Sequence, residues 1–206
     1  HRCTRCIAFD NPVKGFDQNN NTGGITVEQS LAYRNGSSGA ANYGMGGALN
    51  AGQKHHLRNN ISYKGKNADS FGSSSEQKTN SWNISVTVSD DDFESLDTSL
   101  ATIARNADGL LPYTKLFRLK KGSVLIDKGT EIGFDYVGSA PDLGPYEYGE
   151  IAAESSSSEV SSSSAATTVI RRRVAPADRR KDAPRFNALG RSVKSAEPFR
   201  WSVSWF

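Results

Sequence analysis

Cysteine is nearly missing from this sequence. Cys3 and Cys6 are the only two in 206 residues, and Met45 is the single methionine. Two thiols cannot staple a disulfide scaffold. As a C-x-x-C pair they lack the further ligands a zinc site needs, since His55-His56 is the only other cluster. A redox motif would sit where a strand enters a helix, and no helical pattern follows. The pair therefore reads as two small, separately packed thiols on a strand. Long apolar runs are missing too: nothing approaches the ~18 residues of a membrane helix. The opening His1-Arg2-Cys3 shows no charged-then-apolar leader and reads as a piece that starts inside a domain. Hydrophobic residues make up 36% and the mean hydropathy is −0.56, low for a compact globule.

What is present is a repeat. Cys6-Ile-Ala-Phe-Asp-Asn11, Ser30-Leu-Ala-Tyr-Arg-Asn35 and Asn60-Ile-Ser-Tyr-Lys-Gly65 align at offsets of 24 and 30 residues. The same offsets bring Cys3, Val27 and Leu57 into register. Between these strips lie Gly15-Phe-Asp17, Asn42-Tyr-Gly44 and Asp69-Ser-Phe71, a second aromatic-centred element in each unit. A period of this length without amphipathic helices predicts a solenoid of strands, a right-handed parallel β-helix whose laps stack ~4.8 Å apart. Like side chains then form ladders. Ile7, Leu31 and Ile61 are expected inside, with Phe9, Tyr33 and Tyr63 stacked two positions on. Asn11 and Asn35 fall at matching corners, where amides can satisfy turn backbone, and Asn19-Asn20-Asn21-Thr22-Gly23-Gly24 is the corner between laps.

The repeat fades after about residue 72. Ser89-Asp90-Asp91-Asp92 ahead of Phe93 reads as a capping-box-like helix start rather than a calcium cluster, because adjacent carboxylates rarely converge on one ion. Ser123 to Asp127 reads as a short strand, and Ala140-Pro-Asp-Leu-Gly144 closes the structured part. The non-repeating stretch up to 149 is expected to cover the end of the solenoid. From 150 to 168 the chain is a serine-rich linker by composition. From 169 to 206 it is a basic tail, with ten Lys/Arg against three Asp/Glu, which leaves the rest about −4 within a total of +3. Basic runs bind nucleic acid or acidic polymers; the plainer reading of this one is a solvated tail.

Thr4-Arg-Cys-Ile-Ala-Phe-Asp-Asn-Pro-Val-Lys-Gly-Phe-Asp-Gln-Asn-Asn-Asn-Thr-Gly-Gly-Ile-Thr-Val27 resembles the late coils of family 9 polysaccharide lyases, the bacterial pectate and exopolygalacturonate lyases. The likeness continues through Gly52-Gln-Lys-His-His56, Arg58-Asn-Asn-Ile-Ser62 and Asp92-Phe-Glu-Ser-Leu-Asp97. It ends at Gly138-Ser-Ala-Pro-Asp-Leu-Gly144, covering roughly residues 1 to 148. Phe186-Asn-Ala-Leu-Gly-Arg191 faintly resembles a sorting signal of secreted bacterial hydrolases. The resemblance implies an extracellular, monomeric enzyme that cleaves polygalacturonate by calcium-dependent β-elimination, with no nucleic-acid or membrane partner. In the family pattern, the calcium aspartates and the Gly-Phe-Lys-Leu-Gly-Gly segment with the lysine base precede these coils. Neither string occurs here, so the expectation is a C-terminal part without catalytic or metal residues of its own and without turnover alone.

Lys14, Asp17, Gln18 and Asn20 lie on the coil directly after that missing segment. The resemblance therefore makes them candidate substrate-binding residues, set against a plain reading as corner groups. Lys14 is not a candidate base, since it precedes Gly-Phe where the family base follows it. His55 and His56 are neighbours on a strand, so one is expected inside and the other outside. Matches to the glycosylation sequon, such as Asn83-Ile-Ser85, are expected by chance at asparagine corners. Two other readings stay open. One is a non-catalytic β-helix that binds acidic polysaccharide or serves as a stalk. The other, a hydrolase, would need carboxylates clustered on consecutive coils, which Asp10 and Asp17 do not supply.

Overall fold

The computed structural model describes residues 1–109 and 112–149, together with 185–186 and 192–193. Ten short strands occupy the first part of the chain: β1 (Arg2–Thr4), β2 (Ile7–Phe9), β3 (Phe16–Asp17), β4 (Thr26–Glu28), β5 (Leu31–Tyr33), β6 (Tyr43–Met45), β7 (His55–Arg58), β8 (Ile61–Tyr63), β9 (Ser70–Phe71) and β10 (Ser75–Lys78). They form three parallel sheets, ordered β1-β4-β7-β10, β2-β5-β8 and β3-β6-β9. Every strand pairs with one a full lap away, which is the right-handed parallel β-helix expected from the repeat. The offsets hold residue for residue: Cys3 pairs with Val27 and Val27 with Leu57, while Ile7, Leu31 and Ile61 stack in line. Phe16 faces Tyr43, but Phe71 faces Met45, so the aromatic of the third unit falls two residues along from that ladder.

Turns between strands use left-handed residues at repeating positions. Arg5, Gln29, Asn59 and Thr79 all have φ between 43° and 55°, as do Asp10, Arg34 and Lys64 in the next corner, at 51° to 53°. A non-glycine residue there costs about 1–2 kcal/mol. Two amide columns stabilise these corners. In one, Asn11 donates from its backbone N–H and its side chain to Asn35 Oδ1, at 3.0 and 2.9 Å, as the sequence predicted. In the other, a side-chain oxygen accepts the backbone N–H of the residue one lap before it: Cys6 N donates to Ser30 Oγ, Ser30 N to Asn60 Oδ1 and Asn60 N to Asn80 Oδ1. The column ends locally, with Asn80 N donating to Asn83 Oδ1 three residues on.

The sides of β2-β5-β8 are reversed from expectation. Ala32 packs with Val27, Tyr43, Met45 and Leu57, the group enclosed by the coils. Its neighbours Leu31 and Tyr33, with Ile61, belong instead to a cluster completed by Phe93, Leu116, Phe117, Leu119, Leu125 and Leu143. Adjacent strand residues face opposite ways. The Ile7-Leu31-Ile61 and Phe9-Tyr33-Tyr63 ladders are thus external, and the stretch after residue 84 buries them from the side. Phe117 sets its ring 5.6 Å from Phe9 and 5.2 Å from Tyr33. Tyr63 stacks on Phe93 at 5.8 Å.

That stretch is therefore a lateral cover rather than an end cap. The enclosed core is closed nearer by, where Trp82 stacks on Phe71 at 4.8 Å and donates its indole N–H to Gln77 Oε1. Ser89 to Asp92 does form the expected reciprocal cap, Ser89 N donating to Asp92 Oδ2 at 2.7 Å, but only one 3₁₀ turn (Asp90–Asp92) follows. The Ser123–Asp127 stretch is a run of turns rather than a strand.

Val174–Phe206 is a separate unit, in which β11 (Arg185–Phe186) pairs antiparallel with β12 (Ser192–Val193). The expected serine-rich linker at 150–168 lies outside the described residues, as does most of the basic tail.

Where the cover meets the second coil it buries a pair of carboxyls. Asp142 is wholly buried and Glu147 nearly so, and Asp142 N–H donates to both Glu147 oxygens at 3.3 Å. Burial, reinforced by the Asp142 charge, pushes Glu147 up to about 8; burial likewise raises Asp142 to about 6. The surroundings include Gln29, whose Nε2 donates to Glu147 at 3.4 Å, Asp127, which raises Asp142, and Arg5, which partly offsets the rise at Glu147. An acid whose folded pKa is raised contributes stability that is complete below its unfolded pKa and is lost as pH climbs through the folded value. The melting temperature is therefore expected to fall as pH rises from about 4.5 to about 8 and to level off above that. Glu147→Gln should flatten that fall, measured by calorimetry across the range. An unchanged slope in the variant would remove Glu147 as the cause.

Candidate functional site

The loop from Val13 to Gly24 leaves β2, forms β3 and returns to β4 at the edge of the coil stack. Its path is fixed by a close approach. Gly15 passes over Asn35 so tightly that a Cβ would lie 2.6 Å from Asn35 Nδ2, and both Gly15 N and Phe16 N donate to Asn42 O. Lys14 lays its methylene stem across Gly44 of β6, where a Cβ would meet Lys14 Cδ at 2.4 Å. Its ammonium reaches Asp17 Oδ1 at 3.0 Å, with both side chains about one-third exposed. The same Asp17 oxygen accepts Asn19 N–H at 2.9 Å, holding Asn19 at φ 49°. Asn20 stands exposed at the tip.

Gln18 turns inward. It is 4% exposed, its Nε2 donates to Asn21 O and Ala48 O, and its Oε1 accepts Gly47 N–H at 2.9 Å. His55 lies 3.1 Å away through Nε2, while its Nδ1 accepts Ile25 N–H at 3.0 Å. A ring nitrogen that accepts a backbone N–H is unprotonated, so Nε2–H is the donor to Gln18. Burial holds the His55 pKa below the usual histidine value, which keeps this neutral tautomer. His56 points outward, 3.0 Å from Glu76, so the pair divides as its spacing required.

The four candidates thus share one loop but do different things. Asp17, Gln18 and Asn20 line a hollow of about 590 Å³ with Arg2, Cys3, Phe16 and Met45, and Lys14 lies outside that lining. The His55–Gln18 anchor was not foreseen from sequence. A buried glutamine paired with a histidine 37 residues away leaves no local pattern.

The cysteines differ from expectation as well. Cys3 is on β1, but Cys6 sits in the turn, where its thiol donates to Thr4 O at 3.6 Å. Burial, then the neighbouring Cys6 thiol, pushes Cys3 up to about 11. The aspartate triplet diverges: Asp90 meets Lys64 and Tyr63, Asp91 lies 3.8 Å from Lys120, and Asp92 accepts from Ser123 and Val124. Among the described residues no three His, Cys, Asp or Glu side chains converge to hold a cation. These residues do not fit a calcium site. Among them, too, no helix is long and apolar enough to cross a membrane.

No family model matches the chain. It is 51% identical over 148 residues to pectate lyase L of Dickeya chrysanthemi, a match covering 71% of this chain and 33% of that relative. Pectate lyase L of Paenibacillus polymyxa (strain SC2) is 33% identical over 141 residues, 65% of this chain and 29% of the relative. Among solved structures, the pectate lyase Pel9A superposes with a TM-score of 0.65 at 51% identity, covering 71% of this chain and 35% of that one. The chain spans about a third of the length of the curated relatives it matches.

Proposed function

Since the chain belongs with the family 9 pectate lyases, we propose that it is the C-terminal part of a secreted enzyme that cleaves polygalacturonate by calcium-dependent β-elimination. Half-identity carried across coils whose register matches lap by lap is the observation behind this reading. In such an elimination a base removes the proton at sugar C5, the electron pair forms the C4–C5 double bond, and the C4 oxygen leaves with the rest of the polymer. By the family pattern the base and the calcium ligands precede these coils, so in this reading the chain itself takes no proton and breaks no bond.

The part assigned to this chain is the rim of the groove. The Lys14 ammonium exchanges Asp17 for a uronate carboxylate, Asp17 and Asn20 offer hydrogen bonds to sugar hydroxyls, and Gln18 holds the loop in shape through His55. A partly exposed ion pair is worth only about 0–1 kcal/mol, so that exchange costs little.

On the intact enzyme, polygalacturonate is expected to give the ultraviolet absorbance of an unsaturated product, abolished by a calcium chelator. The 206-residue chain alone is expected to give none. Lys14→Ala in the intact enzyme should raise KM about three- to tenfold and leave kcat nearly unchanged, as removal of uniform binding does. Calcium-independent release of saturated sugars would sink the lyase reading. Binding without any product would favour a non-catalytic β-helix.

A further inference from the structure

The lateral cover carries a cluster that the groove does not use. Arg118 places its guanidinium between two tyrosine rings, 4.2 Å from the centroid of Tyr113 and 4.3 Å from that of Tyr146. Its Nε donates to Thr114 O at 3.1 Å, and among the described residues neither Nη has an acceptor. Contact with two rings restrains the guanidinium and leaves its Nη donors for a further acceptor. Tyr113 is 54% exposed, a large aromatic surface left open to water. Lys115, Lys120 and Lys121 are all exposed, and the facing segment brings acidic residues beside them: Asp91 lies 3.8 Å from Lys120, and Glu94 N–H donates to Arg118 O at 2.8 Å. What sets the cluster apart is thus not net charge but an arginine fork beside an open aromatic surface.

We propose that this cluster is a second carbohydrate site, in which the Arg118 fork takes a uronate carboxylate bidentately while the open side of Tyr113 stacks on a neighbouring sugar ring. The choice of galacturonate rests on the pectate lyase reading; the requirement for a planar anion next to a pyranose rests on the cluster itself. An arginine fork matches a carboxylate in a way a lysine point charge does not. Because the guanidinium is already immobilised, little side-chain freedom is lost on binding. The site lies on the cover rather than on the coil loop that carries Lys14, so it holds polymer without taking part in cleavage.

Hydroxyl-radical footprinting of the full chain with trigalacturonate localises binding, and is insensitive to loose attraction by the basic tail. The oxidation rate of Tyr113 is expected to drop about threefold at saturation, and the fully methyl-esterified trimer should give no protection. Arg118→Ala should weaken the protection about tenfold. Arg118→Lys, which keeps the charge but not the fork, should lose most of it with an unchanged melting temperature. Protection near Lys14 with none at Tyr113 would overturn this site and leave the lyase reading standing. Equal protection by the esterified trimer, or full protection in Arg118→Lys, would also overturn it. Whether the parent is a lyase is decided separately by the unsaturated-product assay.

Discussion

Asn60→Ala is expected to lower the unfolding free energy by about 3–5 kcal/mol, from the loss of several buried hydrogen bonds at about 1–3 kcal/mol each. Asn60 has no exposure. Its Oδ1 accepts Ser30 N–H at 3.0 Å, and its Nδ2 donates to Val27 O at 2.8 Å and to Asn80 Oδ1 at 2.9 Å. Truncation orphans a backbone donor and a backbone acceptor where water cannot replace the amide, next to Asn59, which is already held at φ 55°. Denaturant melts of the full chain measure the loss. Asn11→Ala, at the exposed end of the other column, is the control and should cost under about 1 kcal/mol. If the two variants lose equally little, the internal column is not what holds the corners.

Phe117→Ala is expected to cost about 3–5 kcal/mol, as aromatic truncations in packed cores do. Phe117 is 1% exposed and lies against Phe9 and Tyr33, two rungs of the external ladder. The loss falls on the seam between the coils and their lateral cover, so the variant should also bind a hydrophobic dye through Leu31, Tyr33 and Ile61 before the coils unfold. Protease should then cut within 84–148 ahead of 1–78. A single transition with no early cutting would show that coils and cover unfold together, and a loss under about 1 kcal/mol would show that the seam is not held by this ring.

How much of this was legible follows from in-register parallel stacking. It puts like on like one lap apart, so Cys3-Val27-Leu57 and Ile7-Leu31-Ile61 could be read directly as ladders. The facing of those ladders could not. Three-residue strands such as Ile7–Phe9 give alternation but not its sign, and here both faces are dry: small Ala8 and Ala32 serve the crowded interior while the larger residues serve the cover. The last rung was missed for a different reason. Ser75–Lys78 contains no apolar residue, and Gln77 takes the place of Leu57 because Trp82 shields it and donates its indole N–H to the amide oxygen. At the site, Lys14 and Asp17 were legible as neighbours three apart, whereas the inward turn of Gln18 depends on His55, a lap away.

The lateral cover also acts as a ruler. It meets the first lap at Phe9, the second at Arg34 through Thr98, and the third at Asn59 through Thr130 and Gly144. Solenoids ordinarily grow or shrink by whole-unit duplication, since each unit touches only its neighbours. Here one added or deleted turn would shift every later anchor by ~4.8 Å and leave the side piece mismatched at most of them. The number of turns beneath it is consequently frozen, and length variation in this architecture is confined to the corners, such as the loop that carries Asn20.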